Sequence, residues 1–218
     1  MKTFKLKNLI VLIIVINAFP TVNFAQLSMG LSSSVLMPIS HSQIREYGDA
    51  NGYLTCEFGY VDQERSLAYG AALHQNFGKI ALLTEVQYTS TENRFYMMDY
   101  RFEELEPHYM VEKTKYIKVP IAGLVNFNRF HIGVGPVFNF NIESDDMIAR
   151  NSEFKDKNIK LKPSFQFLAG LKFLKHCMIN VKYEMSLTAI GDDYFYNNVN
   201  SRIKNGINNF SVGIYIFP

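Results

Sequence analysis

The chain has 218 residues with 22 Lys and Arg against 20 Asp and Glu, and 14% of its residues are aromatic although none is Trp. Lys2, Lys5 and Lys7 fall in the first 25 residues, so the remaining 193 carry 19 basic against 20 acidic groups, a net charge of −1. That balance excludes the clustered basic face that nucleic acid requires, and the length suits one all-β domain with no linker, low-complexity tract or long internal repeat.

In residues 1–25 the three lysines precede an apolar run at 9–16, and Phe24-Ala25 precedes Gln26, which together predict a cleaved secretory signal. The run falls short of the ~20 residues a spanning helix needs. No cysteine follows it, so a lipid-anchored precursor is not expected. Residues 26–218 are then the folded domain.

Residues 27–36 predict a first strand, with Leu27, Met29, Leu31 and Val35 alternating against serines. Residues 37–65 carry Pro38, Gly48, Asp49, Asn51 and Gly52 and predict a long loop with a strand-like piece at 53–60. The second strand, 66–76, puts Leu67, Tyr69, Ala71 and Leu73 on one face and Ser66, Gly70, His74 and Asn76 on the other. Gly78-Lys79 is a two-residue turn with glycine first, the type II′ preference. In the third strand, 80–89, Ile80, Leu82, Val86 and Tyr88 oppose Glu85 and Gln87. Residues 93–115 fit either a loop or a continuation of the flanking strands beyond a membrane.

The most regular stretch is 116–142. Ile117, Val119, Ile121 and Val125 form one face of its first arm, and Phe130, Ile132, Val134, Phe138, Phe140 and Ile142 the matching face of its second. Pairing Val125 with Phe130 leaves Phe127-Asn128 as the connecting turn. A second long loop is predicted at 143–163, strands at 164–174 and 178–190 around a turn at Lys175, His176 and Cys177, a last long loop at 191–205, and a final strand at 207–217.

Eight strands joined alternately by long loops and tight turns, with arms of about ten residues, predict an eight-stranded antiparallel up-and-down transmembrane β-barrel. An open edge would not survive in lipid, so the last strand must pair with the first. A soluble eight-stranded barrel reverses the faces, apolar inside and polar outside. Here Phe and Ile crowd one face, while Gly, Ser, Asn, Lys and Glu occupy the other, which suits a narrow lumen.

These residues resemble the PorT-like outer-membrane β-barrel family of Gram-negative bacteria. The resemblance is carried by TKYIKVPIAGLVNFNRFHIGVGPVFNF, by NVKYEMSLTAIG and by the ending FSVGIYIF. Lys118 stands where that family usually has an acidic residue, and Pro218 follows the terminal aromatic Phe217. The resemblance implies an outer-membrane barrel whose partners are membrane lipid and, by analogy with the family's founding member, components of a protein-secretion apparatus.

Glu85, Lys118, Lys172, Lys182 and Glu184 fall on the inward face and predict a structural lumen cluster, with Lys118 pairing to Glu85 as the first candidate. Tyr69, Tyr88, Phe130, Phe138, Phe140, Phe165, Phe173, Tyr183 and Phe210 fall on the apolar face as lipid-facing anchors. His74 and His131 share the inward face with Ser66, Ser164 and Ser186 without a helpful His–Ser spacing. The doublets Asp145-Asp146 and Asp192-Asp193 lack the alternating ligands of a Ca²⁺ loop. No catalytic, cofactor-binding or metal-binding set is therefore expected. Cys56 and Cys177 belong to opposite ends of the barrel and should not form a disulfide. The expected molecule is a monomeric outer-membrane barrel acting through its four outer loops or those loops' extracellular ligand. A lipid-modifying barrel enzyme and a soluble periplasmic ligand-binding barrel remain open.

Overall fold

The computed structural model describes residues 27–39, 43–48, 53–100, 107–145, 154–155, 161–174, 176–187, 193–196, 199–202 and 208–218. The expected signal at 1–25 lies outside them, as do Asp146 and Asp192. The strands are β1 (Leu27–Ile39), β2 (Gln43–Gly48), β3 (Leu54–Gln63), β4 (Ser66–Asn76), β5 (Ile80–Asp99), β6 (His108–Phe127), β7 (Phe130–Asp145), β8 (Phe154–Lys155), β9 (Leu161–Leu174), β10 (Cys177–Ser186), β11 (Asp193–Tyr196), β12 (Val199–Arg202) and β13 (Asn208–Ile216).

Eight of them close a ring. β1, β4, β5, β6, β7, β9, β10 and β13 pair in that order, all antiparallel, and β13 returns to β1 with Leu31 opposite Ile216 and Ile39 opposite Asn208. Every strand in the ring has two neighbours, so its backbone groups are satisfied without water, the condition for a sheet in lipid. The faces are those of a membrane protein. Leu31 is 70% exposed and Phe130 64%, and Met29, Leu67, Ile80, Ile132 and Ile214 share the outward surface. A soluble barrel would bury that set, so the periplasmic ligand-binding alternative falls on this observation.

The turn ends are tight. Gly78 has φ of +86° and accommodates the first position of its turn without strain, and its N–H is held by Asn76 Oδ1 at 3.0 Å. In the central hairpin Phe127 pairs with Phe130 and Val125 with Ile132, so the turn is Asn128-Arg129, one residue beyond the expected Phe127-Asn128. Asn128 explains the shift: its φ is +58°, a region asparagine tolerates better than phenylalanine does. The next turn is also shorter than expected, because Cys177 opposite Leu174 already belongs to β10.

The stretch expected as a long loop at 37–65 with a strand-like piece at 53–60 is largely sheet, and that piece, from Leu54 on, belongs to β3. β1 runs toward β2, and β3 toward β4, so that one long hairpin is formed in which Leu36 faces Ser66 and, farther out, Gln43 faces Tyr60. β5 and β6 also run past the ring, pairing as far as Met97 opposite His108. β2, β3 and the outer parts of β5 and β6 thus make a four-stranded blade rising from one side of the barrel. On its inward face Phe58 and Phe95 stack at 5.9 Å with Tyr60 edge-on, all buried. β8, β11 and β12 form a separate small sheet within the loops expected at 143–163 and 191–205.

Candidate functional site

The inward side chains of the ring fall into layers. Nearest the turns, Ala72, Leu83, Leu124, Leu168, Met178 and Phe217 are buried together as an apolar plug. Alternation alone did not reveal it, since Leu124 and Leu83 lie on the mixed faces. In a lumen this narrow the inward residues touch one another rather than water, so apolar packing is as favourable there as in any core. Phe217, directly before Pro218, points inward and lies 5.8 Å from the His74 ring, while His176 Nδ1 is 2.8 Å from the Phe217 carbonyl oxygen.

Above the plug, four of the five expected charges meet. Lys118 Nζ donates to Glu184 Oε2 at 2.6 Å, and Lys182 Nζ to Glu85 Oε1 at 2.5 Å. Glu85 is 1% exposed and Lys118 and Lys182 5% each. The expected Lys118–Glu85 pairing is therefore corrected. In register Lys118 lies opposite Gln87 rather than Glu85, and its chain reaches across the lumen to β10. The Lys182–Glu85 pair links β10 to β5, strands that stand opposite one another in the ring of eight, so it spans the full width of the barrel.

Both carboxylates are further held by neutral donors. Glu184 Oε1 accepts from Ser164 Oγ at 2.6 Å and Asn139 Nδ2 at 3.1 Å. Glu85 Oε2 accepts from Gln87 Nε2 at 2.6 Å and Tyr215 Oη at 3.1 Å, and Lys182 Nζ also stands 5.3 Å above the Tyr215 ring. A buried ion pair endures only with this degree of hydrogen bonding, because desolvating two charges otherwise exceeds their attraction. The sequence pattern placed the charges inward but did not identify Gln87, Asn139 or Tyr215 as their partners. Asn139 and Tyr215 reach their carboxylates from other strands, which spacing along the chain cannot show, whereas Gln87 lies two residues from Glu85 on the same face of β5.

Lys172 is the exception among the five. It is half-buried on the inward side nearer the turns, toward His74 and His131, and makes no ion pair among the described residues. His131 Nε2 is 2.7 Å from Asn180 Oδ1, in space opened by Gly170, where any Cβ would collide with both. Ser164 is committed to Glu184, not to a histidine. Among the described residues no group of three or more His, Cys, Asp or Glu side chains could hold a metal ion. The nine expected lipid-facing aromatics all keep outward parity. Tyr69, Phe130 and Phe173 are exposed and the other six, Tyr88, Phe138, Phe140, Phe165, Tyr183 and Phe210, half-buried. Tyr69 and Tyr88 lie 5.5 Å apart on neighbouring strands. Cys56 and Cys177 form no disulfide, but Cys56 is fully buried in β3 rather than exposed in a loop.

The cavity left between the charges, lined by Ser34, Gln87, Lys118, Gln166, Lys182 and Glu184, measures ≈10 Å³, about the room of one water. Fold and site define a transmembrane β-barrel of the outer-membrane type whose lumen is filled by its own side chains. No protein-family model and no curated protein matches the chain. Among solved structures it is similar to the outer membrane protease OmpT from Escherichia coli, with 11% identity, a TM-score of 0.39, and 88% of this chain and 95% of that one covered. It is also similar to OmpT, an outer membrane protein of Vibrio cholerae, with 8% identity, a TM-score of 0.27, and 88% and 97% covered. The assignment rests on the closed ring and its outward apolar face, not on these likenesses.

Proposed function

We propose that the protein is a PorT-like barrel of the outer membrane of a Gram-negative bacterium, with no catalytic role, that works as an interaction component at the cell surface. Its partners are then the surrounding lipid and a protein of a secretion apparatus or an extracellular ligand. The observation that carries this reading is the contrast between the two ends of one wall. Within the ring, Lys182 and Glu85 bridge the lumen, and the cavity beside them has room for about one water. Beyond the ring, β5 and β6 continue beside β2 and β3 as a four-stranded blade, a surface that a purely structural plug does not require. Against a lipid-modifying enzyme stands the placement of Glu85, Lys118, Lys182 and Glu184, which face the lumen and pair with one another.

Crosslinking in native membranes with a photoreactive residue at Tyr109, on the blade, followed by identification of the captured molecules, tests the reading. A defined partner at the surface supports it. A protein that captures nothing there, and that conducts ions steadily in planar bilayers, removes it in favour of a channel.

A further inference from the structure

The outward surface of the β5–β6 hairpin changes character twice with height. From Ile80 to Tyr88 it is apolar. Then comes a charged belt in which Lys113 pairs with Glu92 at 2.7 Å, Lys115 with Glu143 at 2.7 Å, and Arg94 with Glu64. Above the belt the surface becomes aromatic again, with Tyr96 and the exposed Tyr109 in edge contact at 5.8 Å. Tyr96 Oη lies 3.4 Å from Glu57 Oε2 and 3.1 Å from Met98 Sδ, and Tyr100 Oη donates to Glu57 Oε1 at 2.8 Å.

Resting on the outer-membrane reading, we infer that this upper tier, Tyr96 and Tyr109 beside Glu57, binds the saccharide headgroup of a glycolipid in the surrounding leaflet. Height excludes an ordinary phospholipid. Tyr96 is eight residues beyond Tyr88 along β5, which at a strand tilt of ~45° is about 19 Å, whereas a phospholipid headgroup layer adds only about 5–8 Å to the hydrocarbon. Charge excludes a bare phosphate as the ligand, because each cation of the belt already has a carboxylate and the tier itself carries Glu57. Among the headgroups of a membrane surface, that leaves a neutral polyhydroxyl group with C–H faces. Tyrosine rings offer flat apolar area with a polar edge to such a group, and a carboxylate accepts from its hydroxyls.

Native mass spectrometry of the full-length protein in detergent, titrated with three lipids, tests this. The lipids are a glycolipid with an oligosaccharide headgroup, the same lipid without the sugars, and phosphatidylglycerol. The sugar-bearing lipid should bind about tenfold more tightly than either of the others, an increment near 1.4 kcal/mol. Tyr96→Ala combined with Tyr109→Ala should erase the preference, while Tyr109→Phe, which keeps the ring, should retain most of it. These positions lie beyond the ring, and heat-dependent gel mobility verifies that the variants fold. Equal binding of the three lipids, an undiminished preference in the double variant, or crosslinking from Tyr109 to a protein alone overturns the inference. Failure of the wild-type protein to insert into vesicles at all would instead reject the membrane reading on which it rests.

Discussion

Replacing Lys118 by alanine removes the one cation paired with Glu184 among the described residues, but leaves Ser164 and Asn139 donating to it. A carboxylate stranded in so enclosed a site costs about 3–5 kcal/mol. Lys118→Ala should therefore destabilise the folded protein in urea by that order, and Lys118→Ala with Glu184→Ala by clearly less than the two single changes added together. The same cycle on Lys118 and Glu85, which are not paired, should be closer to additive. Additivity at Lys118 and Glu184 would contradict the site as described. The period-two pattern was enough to turn all five charges inward, because a lysine at mid-depth on the lipid face costs about 2–4 kcal/mol. It was not enough to choose partners, since Lys118 finds its carboxylate three strands away.

At the scale of the elements, the least legible part was the blade. Pro38, Gly48, Asn51 and Gly52 read as loop, and outside the membrane no lipid imposes a clean apolar face, so alternation weakens although the ladder continues. Residues 93–115 fit either a loop or extended strands by sequence, and over the described residues extension is what the pairing of β5 with β3 and β6 shows. Turn chemistry was legible at Gly78 and displaced by one residue at Asn128, whose tolerance of positive φ decided the register. The blade also carries a pH signature. The hydrogen bond to Glu57, then burial and the Glu57 charge, push the Tyr100 hydroxyl up from 10.0 to about 12. A raised phenol favours the protonated form in the folded state, so this contribution to the blade is intact below pH 10 and is lost as the pH rises toward 12. Subtracting the tyrosinate absorbance titration of Tyr100→Phe from that of the wild type should isolate a group ionising near 12, and in Glu57→Gln that group should move back toward 10. A Tyr100 that ionises near 10 in the wild type would show that the contact with Glu57 does not persist in solution.

For the whole molecule, the strand count of the membrane section, the inside-out faces and the pairing of the last strand with the first all followed from two facts: lipid permits no unpaired edge, and one face of each strand is apolar over about ten residues. The filled lumen follows as well, because eight strands enclose a space that side chains can occupy completely. The apolar plug near the turns did not follow, since the sequence cannot tell an inward leucine that meets other leucines from one that faces water.

Closure of the ring by β1 and β13 is the claim on which the rest depends, and a seam disulfide measures it. Ser34 lies opposite Gly213, and a Cβ added at Gly213 would stand 3.1 Å from that of Ser34, within a small adjustment of the about 3.5–4.5 Å that a disulfide uses. In a protein with Cys56→Ser and Cys177→Ser, the pair Ser34→Cys and Gly213→Cys should oxidise readily in the membrane, while Ser34→Cys with Ser211→Cys, on the same face but out of register, should not. Peptide mapping that finds the Ser34–Gly213 link in membranes is the predicted result; its absence, or a link only in the out-of-register pair, would contradict the closed barrel.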